Sequence, residues 1–217
     1  MAPSVERLQL PGPAGTLEAL IETPQNAAAA AFGVICHPHP VYGGTLDNKV
    51  VYMLARTFQE LGLPTIRFNF RGVGASEGAF DNGIGETDDV LAVIAHGRER
   101  WPRAALWLAG FSFGGAVAIR AAVTAKPARL VTVAPAINRV DLSGAMLPNC
   151  PWLIVQGDAD ELVNAHEVLE WARRLPHPPD VTVLPGVDHF FHRRLHELQN
   201  AVLAFADKPS LEKQKPG

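Results

Sequence analysis

With 217 residues, 47% of them hydrophobic and 19% charged, the chain has the composition of an ordinary globular protein and is long enough to bury a sizeable core in one domain. Nineteen Lys and Arg against 22 Asp and Glu leave a net charge of -3, too small and of the wrong sign to attract phosphate backbones or anionic membranes, so neither nucleic acid nor membrane is expected as a partner. The opening MAPSVERLQL carries charge early, and no stretch approaches the roughly 18 uninterrupted apolar residues of a membrane span, so the expected location is the cytoplasm.

Along the chain, short runs rich in Val, Ile, Leu and Phe alternate with stretches of helical period, the pattern of an α/β protein with a mostly parallel sheet covered on both faces. SVERLQL and LEALIETP alternate in polarity around the turn PGPAG and read as an antiparallel opening pair. QNAAAAA reads as a surface connection. The buried runs that follow are AFGVICHP, PTIRFNF, RAALWLAGF, ARLVTVAPA, PWLIVQGD and DVTVLPG.

Five helices are predicted between and after these strands. Val50, Leu54, Phe58 and Leu61 share one face, with Thr45 as the N-cap; Val90, Ile94 and Trp101 mark the second, and the Ala-rich 116–125 the third. Val168, Trp171 and Leu175 follow Asn164 and Glu167, which fit a capping box, and Phe191, Leu195, Leu198, Val202 and Phe205 mark the last. One domain over 1–207 with a flexible tail at 208–217 is the expected organisation. The two cysteines, Cys36 and Cys150, each adjoin an apolar run and read as buried thiols rather than a disulfide.

LAGFSFGG, residues 108–115, carries the chemistry. With five serines and 19 glycines, GxSxG would arise by chance roughly 0.04 times, so its context decides. Here the motif joins a buried strand to a small-residue helix, the strand, turn and helix of a nucleophile elbow. Gly110 and Gly114 remove Cβ atoms where strand and helix approach, Gly115 relieves crowding one residue on, and the Phe113 N–H lies at the helix N-terminus, where it can donate to developing negative charge. The plainer alternative is a glycine-rich turn whose Ser112 only caps the helix.

A serine hydroxyl is a weak nucleophile and needs a base and an orienting acid, in the order Ser, Asp, His for this topology. QGDADELV and PGVDHFF each follow a strand, and loops after parallel strands converge on the carboxyl edge of the sheet. Asp160 is preferred as the acid; Asp158 reads as turn chemistry, and Asp188 adjoins the base it would have to orient. His189 is the base, because His166, His192 and His196 fall in helical patterns and His177 in a surface loop.

ICHPHPVYGG follows the strand expected beside the nucleophile strand, where a second oxyanion donor belongs. Pro38 and Pro40 have no N–H, which leaves His39, Val41, Tyr42, Gly43 and Gly44, and the His39 N–H is the choice. His37 and His39 form an HxH pair, but no further ligand cluster supports a metal, and none is expected. In NFRGVGASEG a dinucleotide fingerprint fails because Glu77 occupies the third glycine's place, and Arg71 with Glu77 is expected to form a structural ion pair. FDNGIGETDD places acids ahead of a helix, where the helix dipole favours them.

Taken together, HPHPVYGG, FRGVGASEG, GFSFGG, GDADELV and GVDHFF resemble the α/β-hydrolase fold over nearly the whole chain, and more closely the small bacterial α/β hydrolases related to dienelactone hydrolases. The resemblance implies about eight strands with the second antiparallel, Ser112 as nucleophile, Asp160 as acid and His189 as base. Dienelactone hydrolases proper use a cysteine nucleophile, so their lactone specificity does not carry over. The interval INRVDLSGAMLPNC, where many relatives insert a helical cap, is short here and predicts a capless, open site. Tyr42, Phe70, Phe111, Phe113 and Phe190 are candidates for the wall of a small apolar pocket.

The expected activity is hydrolysis of short or medium acyl esters or thioesters through an acyl-enzyme, with a small acyl compound as partner and no cofactor. Peptidase or acyltransferase use of the same residues is the alternative within enzymes. A non-catalytic scaffold that binds a small ligand is the alternative outside them.

Overall fold

The structure, a computed structural model, describes residues 4–25, 30–142 and 147–208. Its elements are β1 (Ser4–Gly12), β2 (Gly15–Thr23), β3 (Ala31–Cys36), α1 (Lys49–Glu60), β4 (Thr65–Phe68), α2 (Ile84–Arg100), β5 (Ala105–Phe111), α3 (Phe113–Ala125), β6 (Arg129–Val133), β7 (Trp152–Gly157), α4 (Ala165–Arg173), β8 (Asp180–Leu184) and α5 (Leu195–Ala206). Most of the proposed tail and of the alanine-rich connection lies outside the described residues.

The strands form an eight-stranded sheet in the order β1-β2-β4-β3-β5-β6-β7-β8. β2 is antiparallel to both β1 and β4, and every pairing from β4 through β8 is parallel. This is the α/β-hydrolase sheet with its second strand reversed. β3, β5, β6 and β7 are covered on both faces, which is why they read as continuous apolar runs rather than as alternation. One core lies between the sheet and α2, α3 and α4, with Val90, Val117 and Val168 in it; the other lies under α1 and α5, with Leu54, Phe58 and Val202.

Local chemistry places several boundaries differently from the expectation. The N-cap of α1 is Asn48, whose Oδ1 accepts from the Val50 and Val51 N–H groups at 2.9 and 3.4 Å; Thr45 instead closes a turn with the Asp47 N–H. At α4, Asn164 accepts from the Glu167 N–H at 3.3 Å, but the Glu167 carboxylate turns to Asn138 and not back to the cap, so half of the capping box is present. α2 begins at Ile84, so Glu86, Asp88 and Asp89 lie within its first turns instead of ahead of it. Glu86 then caps that end by accepting from the Asp81 and Gly83 N–H groups. α5 starts only at Leu195: Phe191 has φ +54 and His192 bonds Asp188, which keeps both in the preceding loop.

The expected ion pair between Arg71 and Glu77 does not form. Arg71 pairs with Asp89, Nη2 to Oδ1 at 2.7 Å, and its own N–H donates to the same carboxylate. Glu77 faces the β1–β2 hairpin, where it accepts from the Thr16 N–H and hydroxyl. Both cysteines are free, and burial pushes both thiols up, Cys150 to about 11.

Candidate active site

β5 delivers the chain to Ser112 at the carboxyl edge of the sheet, and α3 leaves from the next residue. The turn between them is sharp: Ser112 has φ 55 and ψ -119, a strained backbone for a residue with a side chain. Surrounding hydrogen bonds hold it there. The Ser112 N–H donates to Val133 O at 2.8 Å, and its carbonyl accepts from the Gly115, Ala116 and Ala136 N–H groups. Only glycine fits on either side. A Cβ on Gly110 would lie 2.2 Å from Gly114 O, and one on Gly114 would lie 2.2 Å from His37 O.

The strand ends of β7 and β8 bring the other two groups to this turn. Ser112 Oγ lies 3.0 Å from His189 Nε2, and His189 Nδ1 lies 2.7 Å from Asp160 Oδ2. The second carboxylate oxygen of Asp160 accepts from the Leu162 and Val163 N–H groups at 2.9 and 2.7 Å, which fixes the carboxylate plane. With its Nδ1–H donated to Asp160, the imidazole presents an unprotonated Nε2 to the hydroxyl. A hydroxyl, an imidazole and a carboxylate in this line can pass a proton from oxygen to nitrogen and stabilise the cation that results.

The other candidate acids have separate duties. Asp158 Oδ1 accepts from the Gly186 N–H at 2.6 Å and ties the β7 loop to the β8 loop, the turn role expected of it. Asp188 is half-buried and bonds His192, whose N–H and ring hold its carboxyl below the usual range.

In the loop after β3, the Val41 N–H donates to His39 Nδ1, Tyr42 and Gly44 donate to His39 O, and Gly43 donates to Pro40 O. Of that loop's five backbone donors, the His39 N–H alone is unengaged among the described residues. Its ring packs on the Phe113 ring at 4.8 Å, and both residues line the site. His37 is fully buried: Nδ1–H donates to Pro38 O at 2.6 Å and Nε2 accepts from the Phe70 N–H at 3.0 Å. Both ring nitrogens are thus used to hold the loop against β4, and burial lowers its pKa to about 4.

A cavity of about 590 Å³ opens over Ser112, Phe113, His39 and His189. Its walls are Tyr42, the segment Ala136, Ile137, Asn138 and Arg139 after β6, and Leu162, Val163, Asn164, Glu167 and Val168 around the start of α4. Of the aromatic residues expected there, Tyr42 and Phe113 line it. Phe70 and Phe111 are core residues, and Phe111 packs against the His189 ring at 4.9 Å; Phe190 packs edge-on to that ring at 5.1 Å and is not among the lining residues.

A family model described as serine aminopeptidase, S33, matches residues 43–148. An uncharacterized protein of Rickettsia prowazekii (strain Madrid E) is 34% identical over 204 residues, 88% of this chain and 84% of that protein. Among solved structures, a Xanthomonas campestris α/β serine hydrolase without lid is 42% identical at a TM-score of 0.89, covering 94% of each chain. A Coxiella burnetii α/β serine hydrolase homologue is 43% identical at 0.88, covering 92% of this chain and 96% of that one. The chain belongs to the lidless α/β serine hydrolases.

In this lidless hydrolase the described part of the interval between β6 and β7 contains no helix, and it runs along the rim of the cavity. Two supporting residues escaped the sequence reading. Gln156, buried at the end of β7, donates to Asp160 Oδ2, and the Glu161 carboxylate accepts from the His189 N–H at 3.3 Å. Gln156 lies four residues before Asp160, but a polar residue inside an apolar strand run was the only signal for it. Among the described residues of the hydrolase, no group of three or more His, Cys, Asp or Glu could hold a metal ion, and no helix is long and apolar enough to cross a membrane.

Proposed function

We propose that this hydrolase cleaves short or medium acyl esters or thioesters through an acyl-enzyme on Ser112. The observation that carries the reading is the unbroken line Ser112 Oγ, His189 Nε2, His189 Nδ1, Asp160 Oδ2, with separations of 3.0 and 2.7 Å across its two hydrogen bonds. Ser112 Oγ attacks the carbonyl carbon as its proton passes to His189 Nε2, and Asp160 stabilises the imidazolium. The oxyanion accepts hydrogen bonds from the Phe113 and His39 N–H groups. The intermediate then collapses, expelling the alcohol or thiol, which takes the proton from Nε2; water, deprotonated by the same nitrogen, releases the acid.

The cavity supports a short or medium acyl group, because its volume of about 590 Å³ is that of a small-molecule site and its rim is open. The test is labelling of the folded protein by a fluorophosphonate probe together with hydrolysis of 4-nitrophenyl acetate and butyrate. Ser112→Ala is expected to abolish labelling and to lower kcat/KM by at least about 10⁴-fold. Full esterase activity in Ser112→Ala would overturn the mechanism, and a wild-type protein that the probe does not label would favour a ligand-binding scaffold. The description of the matching family model makes amide cleavage the second reading. Faster release of 4-nitroaniline from aminoacyl anilides than of 4-nitrophenol from the esters would establish it.

A further inference from the structure

The cavity above Ser112 shares part of its wall with a second groove. Ile137, Asn138 and Arg139 line the cavity and also line this groove of about 760 Å³, whose other walls include Asn82, Arg120 and Asp141. A substrate whose reacting carbonyl sits at Ser112 and whose chain runs outward over Ile137 therefore enters a groove bounded by two arginines. Unpaired arginines on a protein surface are ordinary; two lining one groove that shares a wall with a nucleophile's cavity place positive charge beside the reacting site.

The charges are distributed for this purpose. Arg139 is exposed and Arg120 half-buried, and neither guanidinium has a hydrogen-bond or ion-pair partner among the described residues. Elsewhere the buried arginines are satisfied: Arg71 by Asp89, Arg67 by Glu22 and Arg129 by the Phe205 carbonyl. Of the acids nearby, Glu167 lines the inner cavity but not the groove, and its carboxylate is held by Asn138 Nδ2 at 2.7 Å. Asp141 lines the groove and is engaged in an interaction of its own. The charge of Arg139 also reaches inward, since after burial it is the second cause that lowers the pKa of the His39 imidazole on the cavity wall. A guanidinium fork binds carboxylate or phosphate through paired N–H donors, and Asn82 lines the same groove.

We infer that this groove is an anion subsite, so that the ester cleaved at Ser112 carries a carboxylate or phosphate several bonds from its reacting carbonyl, held by Arg139 and Arg120. The inference rests on the esterase reading of Ser112, and it assigns the substrate class that the reading leaves open. The length of chain between carbonyl and anion is spanned by the apolar walls Phe113, Ala136 and Ile137.

Two pairs of esters test it at low ionic strength: 4-nitrophenyl hemiglutarate against 4-nitrophenyl valerate for a carboxylate on the acyl side, and 3-phosphopropyl butyrate against propyl butyrate for a phosphate on the alcohol side. The wild-type protein is expected to prefer the anionic member of at least one pair by tenfold or more in kcat/KM. Arg139→Gln and Arg120→Gln are each expected to reduce that preference at least fivefold. Equal or better use of the neutral member in both pairs overturns the inference, as does a preference that survives both substitutions. Calorimetric titration of Ser112→Ala protein with the same esters separates binding from chemistry. Selective binding of an anionic ester that Arg139→Gln abolishes sustains the subsite even if the wild-type protein neither labels nor hydrolyses, in which case the esterase reading alone fails. Indifference of Ser112→Ala to charge overturns the subsite even if hydrolysis is rapid.

Discussion

Gln156 Nε2 donates to Asp160 Oδ2 at 3.1 Å, onto the same oxygen that His189 Nδ1 approaches to 2.7 Å. The second neighbour of that amide nitrogen is the Gly157 carbonyl, also 3.1 Å away. Since both neighbours are acceptors, the amide can face them only with its NH₂ group, and Oε1 is left buried without a donor among the described residues. A buried unsatisfied acceptor costs about 1–3 kcal/mol, a cost set against a fixed position for the Asp160 carboxylate. Gln156→Leu removes the positioning donor and the orphan acceptor together. The expected result is a kcat about fivefold lower, the equivalent of about 1 kcal/mol, with a Tm close to that of the wild type. An unchanged kcat would show that the two backbone donors on Oδ1 suffice to hold Asp160.

Asp160→Asn tests the direction of the proton relay. The Leu162 and Val163 N–H groups both point at Oδ1, so the carboxamide oxygen of the variant is forced to that side and its NH₂ turns toward His189 Nδ1. To accept from that NH₂, the imidazole must lose its Nδ1 proton and carry one on Nε2 instead, where it can no longer take the proton of Ser112. The fold should survive, because the substitution is isosteric. The expected loss in kcat is about 10³–10⁴-fold at neutral pH with the native circular dichroism spectrum retained. Activity within tenfold of wild type would mean that the imidazole does not depend on this carboxylate for its tautomer.

These contrasts mark what the sequence allowed to be read. The central strands were legible because burial on both faces writes continuous apolar runs, and Ser112 and Asp160 each follow such a run. His189 follows β8, which was read as a buried run but is a mostly exposed edge strand with Val181 and Val183 facing solvent. What pairs across the fold was not. Arg71 had acids at both Glu77 and Asp89, and only the path of α2 brings Asp89 beneath it while Glu77 swings to Thr16. Three of the five pocket aromatics, Phe70, Phe111 and Phe190, failed for a related reason: nearness in sequence to a strand end does not say which way a side chain points, and Phe111, one residue before Ser112, packs against His189 in the core. Much of the rest of the cavity wall comes from 136–139 and 164–168, which lie outside the motifs and are brought to the site by the chain after β6 and the start of α4.

The elbow itself is a site of tight backbone packing, and glycine substitutions should grade by the atoms they meet. On Gly114 a Cβ would come within 2.2 Å of His37 O and 2.6 Å of Cys36 O, main-chain atoms at the end of β3 that cannot yield without opening the site. On Gly115 the closest approach is 3.2 Å, to Gly110 O and Pro135 Cα, which small shifts can relieve. Gly114→Ala is therefore expected to destabilise by about 3 kcal/mol or more, and Gly115→Ala by about 1 kcal/mol. Urea unfolding midpoints at constant m would measure both. Equal effects of the two changes would refute the packing account.

The buried His37 predicts a loss of stability in mild acid. In the folded protein its Nδ1–H donates to Pro38 O, its Nε2 accepts from the Phe70 N–H, and burial lowers its pKa from 6.5 to about 4. Between those values the unfolded chain binds a proton that the folded chain refuses, so stability rises with pH across this window. The contribution is complete above pH 6.5 and is lost as pH falls through about 4. The full shift corresponds to about 3 kcal/mol, since each unit is worth about 1.4 kcal/mol. Protonation of the folded protein, which sets in only near pH 4, also removes the acceptor for the Phe70 N–H, so the loop carrying His39 should loosen from the end of β4 there. The urea midpoint is expected to fall between pH 6.5 and 4 in the wild type, and His37→Gln, which retains an acceptor but cannot titrate, should flatten that part of the profile at the cost of lower stability at pH 7. A His37→Gln profile as steep as that of the wild type would place the acid sensitivity on other groups.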